Sequence, residues 1–224
     1  SRGIALDSKG NIYISGSSFA NLNGVPDAGT NDIFLAKFSS AGVALWSKKF
    51  GGKFSDSIRD MTIDANDNIY ICGWYSATDI DGNIAAGGAD IFLAKYDVNG
   101  TRLWSRLLGT ASNDFCHEVT VDDVGNVYVS ADTSGDLAKN VNQGDRDIVL
   151  AKYDSAGNQA WVKLLGSSME ERGRAIGIAP DNSIFVSGNT FGSLSGMTNK
   201  GMGDVFLAQY DANGNLLKTT LFGT

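Results

Sequence analysis

The sequence predicts an all-β fold assembled from four repeats, and three observations carry that expectation. The first is periodicity. Asp32-Ile33-Phe34-Leu35-Ala36-Lys37 returns at Asp90–Lys95, and as variants at Asp147–Lys152 and Asp204–Gln209, spaced 58, 57 and 57 residues apart. Tyr13, Tyr70, Tyr128 and Phe185 keep that register, as do Gly51, Gly109, Gly166 and Gly223, and Trp46, Trp104 and Trp161. The second is the acid balance. Of 25 acidic residues only Glu118, Glu170 and Glu171 are Glu, and Asp, unlike Glu, favours turns by bonding its own nearby backbone. The third is the supply of 28 glycines with only 2 prolines, and no stretch with a sustained helical period.

Each copy reads as four short strands. In copy two, Asp60–Asp64 and Ile69–Gly73 flank a turn at Ala65-Asn66-Asp67-Asn68. A loop ending at Ala89 follows, then Ile91–Tyr96 and Arg102–Leu108 around Asp97-Val98-Asn99-Gly100. Asp or Asn opening a turn, with Gly or Asn where φ turns positive, is what short hairpins require. The third strand is apolar on both parities, with Ile33 and Leu35 on one side and Phe34, Ala36 and Phe38 on the other. A sheet covered on both faces is the blade of a β-propeller, sandwiched between neighbours. A β-solenoid is the competing architecture, but its coils are shorter and need no second hairpin. The expectation is therefore four blades of four antiparallel strands, near 1–56, 57–113, 114–170 and 171–224, closing alone or forming part of a larger ring.

The composite pattern is D-x-x-G-N-x-Y-x-S-G, a variable loop, D-I-F-L-A-K-Y-D-x-x-G, then W-x-x-x-x-G. It is seen at Asp7–Gly16, Asp32–Gly42 and Trp46–Gly51 and again in later copies. It resembles the SBBP repeat, a β-propeller repeat family of secreted and cell-surface bacterial proteins. The resemblance implies a propeller and an extracellular address, and no common reaction. Copy four departs from the pattern at Ala179, Gln209 and Lys218, where other copies have Asp, Lys and Trp.

Composition narrows the function classes. The net charge of −7 is the wrong sign for clustered phosphate contacts, so no nucleic-acid partner is expected. No apolar run is long enough to span a membrane as a helix. Any signal peptide is expected to be removed or to lie outside this stretch. His117 is the only histidine, so alternatives for a Ser-His-Asp or Cys-His set do not exist. No Walker-type phosphate loop and no His/Cys cluster for zinc occurs. Asp pairs could serve glycoside chemistry, but most recur at one repeat position, the mark of a structural part. The expectation is a non-catalytic scaffold, adhesion or protein-interaction module. A glycan-binding propeller is the alternative, and a hydrolase or lyase on the same scaffold the third reading.

Candidate sites follow from the repeat register. Arg2, Arg59, His117 and Arg174 occupy one position in the four copies and open the first strands. Four basic groups around one mouth could hold an anionic ligand such as a carboxylate or a sulfated sugar. The preferred reading is structural: inter-blade ion pairs with Asp56, Asp114 and Glu171, with Asp60 and Glu118 as further nearby partners. Trp74 and Tyr75, with Phe19 and Phe191 in other copies, could stack on a ligand or plug the ends of inter-blade cores. Trp46, Trp104 and Trp161 are expected in the core. Asp32, Asp90, Asp147 and Asp204 are expected to pin the ends of the long loops. Asp79, Asp81 and Asn83 form the one loop pattern compatible with Ca²⁺, and no other cofactor is expected; the Asp97 and Asp211 turns are read as hairpins. Cys72 and Cys116 are expected on one rim of adjacent blades, read as two small buried hydrophobes with a disulfide left open. The variable loops 17–31, 74–89, 132–146 and 189–203 are expected to share one face and to carry a protein or glycan partner. Further repeats, or a second copy, are expected to cover the terminal blades.

Overall fold

The structure is a computed structural model that describes residues 1–19, 21–22, 29–76 and 79–223, with the side chain of Asp79 outside that description. Blade one comprises β1 (Gly3–Leu6), β2 (Ile12–Ser18), β3 (Asp32–Phe38) and β4 (Ala44–Phe50). Blade two comprises β5 (Ser57–Ile63), β6 (Ile69–Tyr75), β9 (Asp90–Tyr96) and β10 (Arg102–Leu108), with the small hairpin β7 (Asp79–Ile80) and β8 (Asn83–Ile84) in its loop. Blade three is β11 (Asp114–Val121), β12 (Val127–Thr133), β13 (Asp147–Tyr153) and β14 (Gln159–Leu165). Blade four is β15 (Glu171–Ile178), β16 (Ile184–Thr190), β17 (Asp204–Tyr210) and β18 (Leu216–Phe222). The sheet of each blade has four antiparallel strands in chain order, blade two passing over the β7–β8 hairpin, and no helix occurs among the described residues. The first strands begin earlier than the sequence suggested, at Ser57 instead of Asp60 in copy two. The early part alternates weakly, because it contains a bulge.

The first strands β1, β5, β11 and β15 pack side by side and form the inner edge of the array. Between blades lie three apolar clusters, each mixing the third strand of one blade with the first two strands of the next. The hairpin turns are held as the sequence requires. Asp97 Oδ1 accepts from the N–H groups of Asn99 and Thr101, and Asp154 and Asp211 repeat the arrangement. The fourth residue of the second turn is Gly100, Gly157 or Gly214, each with φ near +75°.

Those glycines also explain the tryptophans. Trp46, Trp104 and Trp161 are half-buried and pack against the edges of the inter-blade cores. Each meets the tyrosine of its own blade edge-on, at 5.9, 6.1 and 6.3 Å between ring centroids. Each then lies on the turn glycine of the following blade, where a Cβ would come within 2.8–3.1 Å of the indole. Lys37 and Lys95 work at the same junction. Lys95 Nζ sits 3.9 Å from Asp64, 5.0 Å from the Tyr70 ring centroid and 3.3 Å from the Ser155 carbonyl of the next blade. Blade four has no following blade among the described residues, and it lacks the whole set, carrying Ala179, Phe185, Gln209 and Lys218 instead.

Cys72 and Cys116 form a disulfide, correcting the preferred reading of two separate thiols. Both lie inside strands, β6 and β11, and not at strand ends, with Cα atoms 5.9 Å apart. The alternation along β6 aims Cys72 at blade three, and the bulge of β11 brings Cys116 to meet it. The bridge therefore ties blade two to blade three.

The two outer faces are open. Ile33, Leu35, Ile91, Leu93, Ile148 and Leu150 are at most 2% exposed, whereas Val205 and Leu207, at the same positions of blade four, are 49% and 39% exposed. At the other end Ile4 is 72% exposed, while its counterparts Met61, Val119 and Ile176 are buried.

Candidate functional site

Arg59, His117 and Arg174 each sit in a β-bulge. The pairing of β5 with β6 skips between Ile58 and Asp60, that of β11 with β12 between Cys116 and Glu118, and that of β15 with β16 between Gly173 and Ala175. A bulge leaves one residue without a cross-strand partner and re-aims its side chain. Three copies of the same bulge, on three adjacent inner strands, therefore turn three basic side chains toward one mouth of the array. The carboxylates that follow the first two bulges lock the inner strands together. Asp60 accepts from Val119 N–H at 3.0 Å, and Glu118 from Ile176 N–H at 2.7 Å.

Around these bulges lies a cleft of about 260 Å³ lined by Arg59, Trp74, Phe115, His117, Arg146, Arg172 and Arg174. Its floor is aromatic: the rings of Trp74 and Phe115 meet edge to face at 5.3 Å. The Arg59 guanidinium lies over Trp74 at 4.6 Å and that of Arg146 over Phe115 at 5.5 Å. Two carboxylates enter. Asp132 accepts from His117 Nε2 at 2.6 Å and lies 3.7 Å from Arg146. Glu170 accepts from both Nε and Nη2 of Arg172, at 2.8 and 3.0 Å, and lies 3.6 Å from Arg146. Arg174 Nη1 donates to His117 Nδ1 at 3.3 Å, so the remaining ring nitrogen is the donor toward Asp132.

The charges do not balance. Four arginines line the cleft, and Asp132 and Glu170 are the carboxylates paired with its side chains. Among the described residues no carboxylate comes within ion-pair distance of Arg2, Arg59 or Arg174, and Arg59 Nε is buried without a hydrogen-bond acceptor. Burial, and then the fields of Arg2 and Arg174, push the Arg59 guanidinium below its ordinary value. Asp56, Asp114 and Glu171, the cross-blade partners the sequence offered, bind loops instead. They accept from the N–H groups of Gly52, Thr110 and Ser167, each at 2.6 Å.

The structure thus brings Arg59, His117, Arg174 and Trp74 together, with Arg2 near enough to act on Arg59 electrostatically. Tyr75 points the other way, into the core between blades one and two against Phe92. Phe19 and Phe191 do not plug inter-blade cores; both are exposed. The plugs are Ile80, Leu137 and Leu194 from the long loops. Sequence reasoning missed Phe115, Asp132, Arg146, Glu170 and Arg172. Their signal is faint but present: Arg146 stands where other copies have Asn31, Ala89 and Gly203, and Phe115 and Arg172 stand where copy two has Ser57.

In the calcium-compatible loop, Asp81 Oδ2 accepts from Ser105 Oγ at 2.6 Å and Oδ1 is paired with Arg102. Asn83 turns its amide nitrogen to the Ile80 carbonyl. These contacts dock β7 and β8 on β10, and Asp79 lies outside the described side chains. The recurring aspartates pin loops. Asp90, Asp147 and Asp204 accept from Ala86, Gln143 and Lys200 N–H groups at 2.7–3.0 Å.

Comparison with known proteins bears out the repeat. The SBBP β-propeller repeat family matches residues 1–23 and 103–138. An uncharacterized WD repeat-containing protein of Acanthamoeba polyphaga mimivirus is 26% identical over 234 residues, covering 83% of this chain and 17% of that protein. The regulatory protein FlaEY of Caulobacter vibrioides is 28% identical over 229 residues, covering 88% of this chain and 24% of that protein. The chain thus spans less than a quarter of the length of these relatives. Among solved structures, a protein of unknown function from Bacteroides caccae superposes with a TM-score of 0.51 at 11% identity, over 98% of this chain and 66% of that one. That likeness concerns the fold.

Proposed function

We propose that this chain, a propeller that carries SBBP repeats, is a non-catalytic extracellular module that presents loops to a protein partner. The observation that carries the proposal is the division of labour within the long loops of blades three and four. Loops three and four share one skeleton: Leu137 and Leu194 are buried, and Asn142 and Asn199 donate to the Thr133 and Thr190 carbonyls at 3.1 and 3.0 Å. Around that skeleton the tips diverge, Ala138-Lys139 in one and Ser195-Gly196 in the other. A rigid frame with variable tips is how a scaffold carries specificity. Loop four borders a groove of about 860 Å³ against blade three, lined by Met169, Phe191, Asn199 and Leu216 among others. Exposed Met169, Phe191 and Met202 give this rim the apolar anchors that protein interfaces favour. The WD-repeat and regulatory names of the relatives agree with an interaction role. The extracellular address rests on the Cys72–Cys116 bridge, since such bridges persist in oxidising compartments, and on the repeat family.

Exchange of residues 134–145 for 191–202, whose skeletons match and which leaves Arg146 in place, tests the proposal. Proteins retained from the producing organism's culture fluid by the immobilised chain should change with that exchange. They should not change when the turns at Asp97 and Asp154 on the opposite rim are altered. Retention that follows the turns, or turnover of chromogenic glycosides by the intact chain, would contradict it.

A further inference from the structure

We infer that the cleft between the bulges of blades two, three and four binds a carboxylate side chain of a protein partner, as an acidic peptide segment. The inference rests on the reading of the chain as a protein-interaction scaffold and names what one part of it recognises. Three observations carry it. The first is the charge excess: Arg59 and Arg174 have no carboxylate partner among the described residues, while Arg146 and Arg172 are already paired. A cleft with four guanidiniums against the two carboxylates of Asp132 and Glu170, in a chain of net charge −7, draws an anion. The second is orientation. The Arg59 guanidinium lies over the Trp74 ring at 4.6 Å on the cleft wall, and among the described residues no carboxylate pairs with it. A guanidinium so placed can offer its terminal nitrogens to a carboxylate as charge-assisted donors. The third decides between kinds of ligand. The Trp74 and Phe115 rings carry guanidiniums and each other, so they are not the open platforms on which a sugar stacks. A cleft of about 260 Å³ accommodates one acidic side chain.

The site is also built to stay put. Cys116 precedes His117 in the bulge, and its bridge to Cys72 anchors β11 to the strand that carries Trp74 two residues later. His117 is held between Asp132 and Arg174, accepting from Arg174 on one ring nitrogen and donating to Asp132 with the other.

The test uses the whole chain and a fluorescent N-acetylated hexaglutamate peptide, with hexaglutamine and oligogalacturonate as the other probes, followed by anisotropy. Hexaglutamate should bind, and 0.5 M salt should weaken it, as expected where the screening length falls to a few ångströms (roughly 3 Å at 1 M). Arg59→Gln and Arg174→Gln should each lose about ten- to a hundredfold, the equivalent of one charge-assisted hydrogen bond. Arg59→Lys, which keeps the charge and loses the fork, should lose most of the binding too. Lys9→Gln, the same charge change on the opposite rim, should lose little. Unchanged binding in both arginine variants, with melting curves intact, would overturn the inference. So would equal binding of hexaglutamine, or preference for oligogalacturonate. Any of these could occur while loop exchange still alters partner retention, so the cleft can fail without the scaffold reading failing.

Discussion

At the scale of single residues, the repeat glycine at 51, 109, 166 and 223 is the position the sequence marked without explaining. It has ordinary φ, so its need is space, not backbone freedom. A Cβ on Gly109 would lie 2.3 Å from Asp90 Oδ1, and one on Gly166 would lie 2.0 Å from Asp147 Oδ1. Gly109→Ala should therefore destabilise by about 1–3 kcal/mol, the range for overpacking a tight site. Gly177→Ala, where a Cβ meets nothing within 4 Å, should be neutral; urea midpoints compare the two. The aspartates themselves predict a pH dependence. Burial, with Glu171 close by, raises the Asp147 carboxyl to about 6. The folded state then holds a proton that the unfolded chain, with a carboxyl near 3.8, has released, so this group's contribution falls as pH rises from about 4 to 6. Asp147→Asn, which keeps an acceptor for Gln143 N–H, should flatten that fall and gain about 1–2 kcal/mol at pH 8. A variant whose stability still drops as steeply over that range would place the titrating group elsewhere.

At the scale of elements, the inter-blade junction repeats one geometry with different chemistry. The second-strand residue at this position is Ser15, Cys72 or Ser130; Cys72 is bonded to Cys116 of the next blade, and Ser130 faces Gly173 of the next. In the third junction a Cβ on Gly173 would come 2.8 Å from Ser130 Oγ. The pair Ser130→Cys with Gly173→Cys should then close a second bridge equivalent to the first. It should add about 2–4 kcal/mol in oxidising buffer that vanishes on reduction; unchanged melting with free thiols remaining would show the junctions are not equivalent. Trp104→Ala should cost about 2–4 kcal/mol, below the full price of a buried ring, because that side chain is half-buried against Tyr70 and Gly157. Four strands per blade, the turns and the loop-pinning aspartates were all legible in the sequence, because each depends on neighbours within one repeat. The first-strand bulges were not, since an extra residue leaves no mark on an alternating pattern. The cleft was legible only in part. Arg59, His117 and Arg174 recur and so could be aligned, whereas Phe115, Arg146 and Arg172 belong to single copies and meet only through the packing of adjacent blades.

At the scale of the whole molecule, the two uncovered faces are the two halves of the junction that the chain builds three times internally. Val205, Leu207 and Phe222 present the side that elsewhere receives a following blade, and Ile4 and Leu6 present the side that elsewhere receives a preceding one. The departures in copy four, Ala179, Phe185, Gln209 and Lys218, lie together on the first of these faces. They remove the Asp-Tyr-Lys-Trp set that clasps the next turn, while the apolar strip remains. At the other end Gly42, in the turn such a set would clasp, has nothing within 4 Å of a built Cβ. We propose that both faces are completed by another blade of the same repeat, and that for this 224-residue chain alone the blade available is that of a second copy. Apolar strips of this extent are seldom left open to water. The most direct measurement is sedimentation velocity across a range of protein concentrations, on the chain and on Val205→Asp/Leu207→Asp. The chain should associate with increasing concentration, and the variant, which places two carboxylates on the strip, should remain monomeric. A chain that is monomeric at every concentration, or association that the two substitutions leave unchanged, would contradict an arc of four blades with open ends.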